Sequence, residues 1–199
     1  GPAVLPAMPS TEVSNVIAGP YSNMGVPGAK SFHLLANGYG DVGGVATGQA
    51  NPYFARMASS ANASMLEDAL AQAPTFFTLS EVGGNDVLGF ATSGGSGVDQ
   101  TGNFDPTTYG SNDITDPNVF AQTFTALVGA LTGSGAKGVV TNVPYVTSLP
   151  YFTIIPYAPL DPTNPDFGPQ IPVLNATFAP LNQAFAFLGV PERSIVFSE

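Results

Sequence analysis

Two short stretches of this chain combine glycine with a neutral amide donor: Gly83-Gly84-Asn85-Asp86 and Asn23-Met24-Gly25-Val26-Pro27-Gly28-Ala29. An asparagine side chain can donate a hydrogen bond to an oxygen that gains negative charge, and it does not compete for protons as a charged group would. That donor suits the tetrahedral oxyanion of acyl transfer, where removing one such group costs roughly 100–1000-fold in rate. Asn85 is the candidate for this role. Gly83 and Gly84 allow close backbone approach and positive φ, and Asp86 can cap the following helix or hold the loop. Gly28 can present its backbone N–H to the same oxyanion with no Cβ in the way. Each stretch also has a plainer reading. Gly-Gly-Asn-Asp is ordinary turn chemistry, and the second stretch reads as a tight turn before a helix.

Other reactive side chains are few. His33 is the single histidine. It serves as a base only if Ser22 or Ser80 comes near, and its apolar neighbours favour a partly packed ring. The acidic residues are scattered, without the spacing of a glycosidase pair or a calcium loop. Asp113 and Asp116 could form a weak surface cation site. No metal or cofactor is implied. Asn62-Ala63-Ser64 and Asn175-Ala176-Thr177 fit the glycosylation sequon.

Composition narrows the partners. Of 199 residues only 4 are basic and 14 acidic, for a net charge of −10, which leaves no footprint for nucleic acid or for anionic lipid. Hydrophobic residues make up 44% and charged residues 9%, the opposite of the balance that keeps chains disordered. There is no cysteine, so neither disulfides nor thiolate metal sites arise. No apolar run is long enough to span a bilayer. A neutral small-molecule or glycan substrate fits this surface better than a charged one.

The elements that would position these residues can be read in order. Val13–Ala18 is a short strand candidate and Ser31–Leu35 begins a helix, while residues 37–50 read as loop. Ser64-x-x-Glu67 is a capping box for a helix that places Met65, Leu66, Ala69, Leu70 and Ala73 on one face, with Pro74 ending it. Thr75–Leu79 is a buried strand running into Gly83-Gly84-Asn85-Asp86, with polar loop over 92–113. Asp116 and Pro117 cap and open a helix carrying Phe120, Phe124, Leu127, Val128 and Leu131, with Gly133 as its stop. Lys137–Val143 is the next strand. Eight prolines in residues 144–172 exclude a helix or central strand there, leaving an extended aromatic-rich insertion. That insertion either lines or covers an acyl pocket or packs as a structural loop. A last helix over Leu174–Leu188, kinked or split at Pro180, and an edge strand over Ser194–Phe197 complete the chain. Helices alternating with strands predict an α/β fold with a parallel sheet, whose ligands bind beyond the carboxyl ends of the strands.

Taken together, the two glycine–amide stretches resemble the second and third sequence blocks of the SGNH (GDSL) hydrolase family of lipases and esterases. That family places a glycine in one block and Gly-x-Asn-Asp in the next. Asn51-Pro52-Tyr53-Phe54-Ala55-Arg56, Pro74–Leu79, Gly84–Gly95 and Val143–Phe152 are similar to a GDSL-like branch found in Bacteroidetes. The likeness covers residues 19 to 152 well and the rest loosely. It implies a flavodoxin-like α/β fold, a parallel sheet flanked by helices, interrupted by the Pro-rich insertion at 144–172, with residues 1–199 as part of a single hydrolase domain. It implies ester hydrolysis through a serine acyl-enzyme, with Gly28 and Asn85 in the oxyanion hole and Gly83, Gly84 and Asp86 supporting it. It also implies a bacterial protein that is secreted, periplasmic or held at the cell surface by a lipid anchor.

Two family blocks are missing. No Gly-Asp-Ser occurs, since Gly40-Asp41 is followed by Val42, and no Asp-x-x-His occurs, since the residue three before His33 is Lys30. The resemblance therefore implies a nucleophile upstream of Gly1 and an Asp/His pair beyond Glu199, and an inactive chain without them. The family's strand order, 2-1-3-4-5, further implies a gap or exposed apolar groove between the strand before Gly25 and Thr75–Leu79. Continuous hydrogen bonding between those two strands would sink that expectation. The alternative is a non-catalytic cell-surface module, glycan-binding or structural.

Overall fold

The computed structural model describes residues 15–17, 19–154 and 159–197, which fall into two compact units meeting in sequence at Val146 and Thr147. The first unit carries helices α1 (Val42–Val45), α2 (Pro52–Ala55), α3 (Met65–Ala71), α4 (Gly84–Thr92) and α5 (Pro117–Gly133), with strands β1 (Phe76–Leu79) and β2 (Lys137–Val140). The second carries α6 (Pro150–Thr153) and α7 (Ile171–Phe187). The fold class is mixed α/β, and its one sheet is a parallel pair.

Side-chain caps explain where α1, α2, α3 and α5 begin. Ser64 Oγ accepts from the Glu67 amide at 3.2 Å and Glu67 Oε2 accepts from the Ser64 amide at 2.8 Å, so the predicted capping box is present. The helix is shorter than its apolar pattern: Ala73 lies beyond it at φ +47°, and of the proposed face only Met65 is fully buried. Asp116 caps α5 through the amides of Asn118 (2.7 Å) and Val119 (3.1 Å), with Pro117 following as expected. Its buried stripe is Val119, Thr123, Leu127 and Leu131, one helical turn apart, while Phe120, Phe124 and Val128 flank it half-buried. Gly133 is the last helical residue. The left-handed residue that stops the helix is Gly135, at φ +90°.

Two further short helices break the loop expected over 37–50 and the stretch after it. Asp41 accepts from the Gly43 amide to cap α1, and Asn51 accepts from Tyr53 and Phe54 to cap α2, with Pro52 inside the first turn. These turns close a core of Tyr39, Phe54, Ala58 and Met65, against which Met24, Val26, Ala29 and Leu34 pack. Ser31–Leu35 is a single 3-10 turn lying against α3 and α5.

β1 and β2 pair in register from Phe76 with Lys137 to Leu79 with Val140. The second strand stops at Val140, three residues short of the expected end. The expectation of a buried strand at β1 is corrected as well: Phe76 is 58% exposed and Val139 on β2 is 52% exposed. A parallel strand normally has both faces and both edges covered, and among the described residues β1 is paired on one edge only. Residues 15–17 form no strand. Ile17 N donates to Arg56 O, and no hydrogen bond joins 15–17 to Thr75–Leu79 among the described residues. The rest of the Val13–Ala18 candidate lies outside the described residues.

In the second unit the Pro-rich stretch does hold a helix. Pro150 opens α6, where its missing N–H costs nothing. α7 starts three residues earlier than expected and runs unbroken through Pro180. Ser194–Phe197 is not a strand. Asn182 accepts from Ile195 N and donates to Ile195 O, and Asn175 does the same for Phe197. Two side chains two turns apart on α7 thus take the place of a neighbouring strand.

Candidate functional site

The chain enters α4 through Gly83, whose φ of +104° is closed to most side chains. A Cβ there would sit 2.7 Å from the Phe120 ring and 3.1 Å from Val143. β1 therefore delivers the chain against α5 and then turns it sharply, placing Gly84, Asn85 and Asp86 in the first turn of α4. Asp86 does not cap that helix. Its buried carboxylate accepts from Ser31 N at 2.8 Å and Ser31 Oγ at 2.7 Å. Asn85 Nδ2 donates to Ala29 O at 2.9 Å. The two stretches singled out in the sequence thus meet where Asn85 reaches Ala29, 56 residues away, and Asp86 anchors Ser31 just beyond the second stretch.

Gly28 sits at the centre of this contact. Its φ is +78°, and a Cβ would meet nothing closer than Asn51 Nδ2 at 4.0 Å, so it is the backbone turn that calls for glycine. The carbonyls on either side of it are held by two asparagines: Asn85 takes Ala29 O, and Asn51 Nδ2 takes Pro27 O at 2.9 Å. Asn51 also donates to the Tyr39 hydroxyl at 3.2 Å. Burial pushes the Tyr39 hydroxyl above its ordinary pKa, and the Asn51 hydrogen bond offsets part of that. One of Asn85's two amide hydrogens is committed to Ala29, and among the described residues no hydrogen bond takes up the second.

Around this contact lies a buried polar network. Lys30 Nζ donates to the carbonyls of Asp113 (2.7 Å) and Gly110 (3.1 Å). Burial lowers its pKa, against the raising influence of Asp86 and Asp113. Asp113 accepts from the Val98 and Gly110 amides and from Gln100. Burial raises its carboxyl, but these donors together with Lys30 hold it below its ordinary value. Asp116 is held low by the Gly102 amide above all, then by those of Val119 and Asn118. The expected surface cation site at Asp113 and Asp116 is thereby corrected: both are buried, and their oxygens are occupied by amide donors. No cluster of three or more metal-binding side chains occurs among the described residues.

His33 is half-buried, stacked on Tyr39 with ring centroids 4.2 Å apart, and its Nδ1 accepts from Lys30 N at 3.0 Å. Burial first, and then the Lys30 charge, lower its pKa to about 4. Among the described residues no serine hydroxyl bonds to it, so no serine–histidine pair forms here. A cleft of about 430 Å³ opens between residues 19–24 and α3, lined by Tyr21, Met24, Met57, Asp68 and Gln72 among others; neither Gly28 nor Asn85 reaches it.

Sequence reasoning missed Asn51, Ser31 and Lys30 as parts of this site. Asn51-Pro52 carried the same cap-then-proline signal as Asp116-Pro117 and was open to the same reading. Ser31 and Lys30 carried none, because their partners lie 55 and more residues away. Compared with protein-family models, curated proteins and solved structures, the chain matches none of them. No helix among the described residues is long and apolar enough to cross a membrane.

Proposed function

We propose that this chain forms the oxyanion-binding part of a carboxylic-ester hydrolase of the SGNH type, built on a flavodoxin-like sheet, with a lipid or acetylated-sugar ester as substrate. The observation that carries this reading is the clamp on Gly28. Asn85 and Asn51 hold the carbonyls on both sides of it, so the turn that carries the Gly28 amide is tied to the first turn of the helix that carries Asn85. Preorganised neutral donors of this kind stabilise a developing oxyanion without reorganising. Support also comes from their position, just beyond the carboxyl end of a parallel strand, where open α/β sheets bind ligands. The nucleophilic serine and the Asp/His pair would come from outside these 199 residues. On this reading the protein would act outside the cytoplasm, secreted, periplasmic or at the cell surface, and ester hydrolysis through a serine acyl-enzyme calls for no cofactor.

The test is p-nitrophenyl acetate hydrolysis by a polypeptide that joins this chain to Gly-Asp-Ser and Asp-x-x-His blocks. Asn85→Ala should lower kcat by roughly 100-fold or more with little change in KM. The 199 residues alone should give no turnover above the buffer rate. An Asn85→Ala enzyme with unchanged kcat would rule the reading out and favour a binding or structural module.

A further inference from the structure

Asn37-Gly38 is the single asparagine–glycine step in the chain. Asn37 is exposed in the turn that follows the Ser31–Leu35 helix, and Gly38 adopts φ +83° with nothing within 4 Å of where a Cβ would stand. The Gly38 amide makes no hydrogen bond among the described residues. The Asn37 side chain is a latch: Nδ2 donates to Asn62 O at 2.7 Å and to Glu67 Oε2 at 2.9 Å. Glu67 Oε2 is the same oxygen that accepts the Ser64 amide in the α3 capping box.

We propose that Asn37 is a site of spontaneous covalent modification, converted to aspartate and isoaspartate through a cyclic imide with Gly38. The Gly38 nitrogen attacks Asn37 Cγ, the N–Cγ bond forms, the Cγ–Nδ2 bond breaks, and ammonia leaves carrying the Gly38 amide proton. Water then adds at either imide carbonyl and reopens the ring, giving a carboxylate on the side chain or on the rerouted backbone. The attack needs a backbone nitrogen bearing a hydrogen, and it is fastest where that nitrogen is unhindered. Glycine supplies one. The prolines after Asn51 and Asn164 supply none, and larger side chains crowd the other sites. The consequence is electrostatic. An oxygen takes the place of the donor Nδ2, facing the Asn62 carbonyl and the Glu67 carboxylate across the distances that held hydrogen bonds. Two attractive contacts become repulsive, and the turn is released from the start of α3. The hydrogen bonds that hold Glu67 below its ordinary pKa, those from Ser64 first, keep it charged and able to repel.

Ageing the unmodified chain in mildly alkaline buffer at physiological temperature, followed by tryptic mapping, tests this. The peptide Ser31–Arg56 contains Asn37 and also Asn51, which cannot react because proline follows it. That peptide should gain one mass unit faster than every other asparagine-containing peptide, and should split into two isomers. If it keeps its mass, the assignment of Asn37 is wrong. Asn37→Asp should lower the thermal midpoint, and adding Glu67→Gln should restore part of the loss. A midpoint unmoved by Asn37→Asp overturns the release of the turn.

Discussion

Asn51 illustrates how one side chain does several jobs at once. Its Oδ1 caps α2 while its Nδ2 holds Pro27 O, so the two halves can be separated by substitution. Asn51→Ser keeps a capping oxygen and loses the clamp; Asn51→Ala loses both. Loss of the cap costs about 1 kcal/mol, and stranding the partners of Nδ2 costs about 1 kcal/mol more. Urea denaturation should therefore rank Asn51→Ala as the less stable variant, and amide exchange at Gly28 should speed up in both. Equal stabilities would mean that α2 does not depend on its cap. His33 gives the clearest pH dependence. Its folded pKa of about 4 lies below its ordinary value of 6.5, so the unfolded chain binds the extra proton first. The sign follows: stability is intact above about pH 6.5 and falls as pH drops from there toward 4, by at most about 3 kcal/mol, and by less because the ring is partly exposed. As the only histidine, its ring proton can be titrated by NMR without assignment. A midpoint near 6.5 would show that the stacked, half-buried ring is not held as described.

Four of the helices, α1, α2, α3 and α5, start where a side chain caps them, and α5 stops where glycine turns the chain. Capping is local, and Ser64-x-x-Glu67 and Asp116-Pro117 were legible for that reason. The stops were less so, because Gly133 and Gly135 are equally good candidates and only the backbone chooses between them. Gly83 shows the limit from the other side. The sequence marked it as permissive, but the need for glycine comes from Phe120, which lies 37 residues on and packs where a Cβ would go. Gly83→Ala should cost about 2 kcal/mol of strain at its positive φ, and it should disturb the Asn85 and Asp86 contacts together. Denaturation midpoints, with ¹H–¹⁵N spectra of Ala29 and Ser31, would check this. A neutral substitution would mean that the turn can adopt negative φ, with the Phe120 ring swinging aside.

Burial in the first unit is concentrated in α5 and the packed turns, and the sheet is largely exposed. In the first unit the buried interior is built from Phe54, Met65, Leu127 and Leu131, together with the polar side chains of Lys30, Ser31, Asp86 and Asp116. The sheet has two short strands with exposed aliphatic and aromatic side chains. Local opening follows buried contacts and not hydrogen-bond pattern. Native-state hydrogen exchange should therefore find the slowest amides in α5, around Leu127 and Leu131, and much faster ones in β1 and β2. Slow exchange across the sheet would mean that its faces are covered in solution.

Short-range chemistry was decided by the sequence alone: caps at Ser64 and Asp116, the helix through Leu127 and Leu131, and a strand leading to Gly83. Each depends on residues within about one turn of one another, where spacing and structure are nearly the same thing. Only the tertiary structure could decide that Asn85 would meet Ala29, that Asp86 would take Ser31, and that Asp113 and Asp116 would be buried acceptors instead of a surface cation site. It also decided that the predicted buried strand would lie exposed. Burial depends on what packs against a strand from elsewhere in the chain, and no local pattern of apolar residues records that.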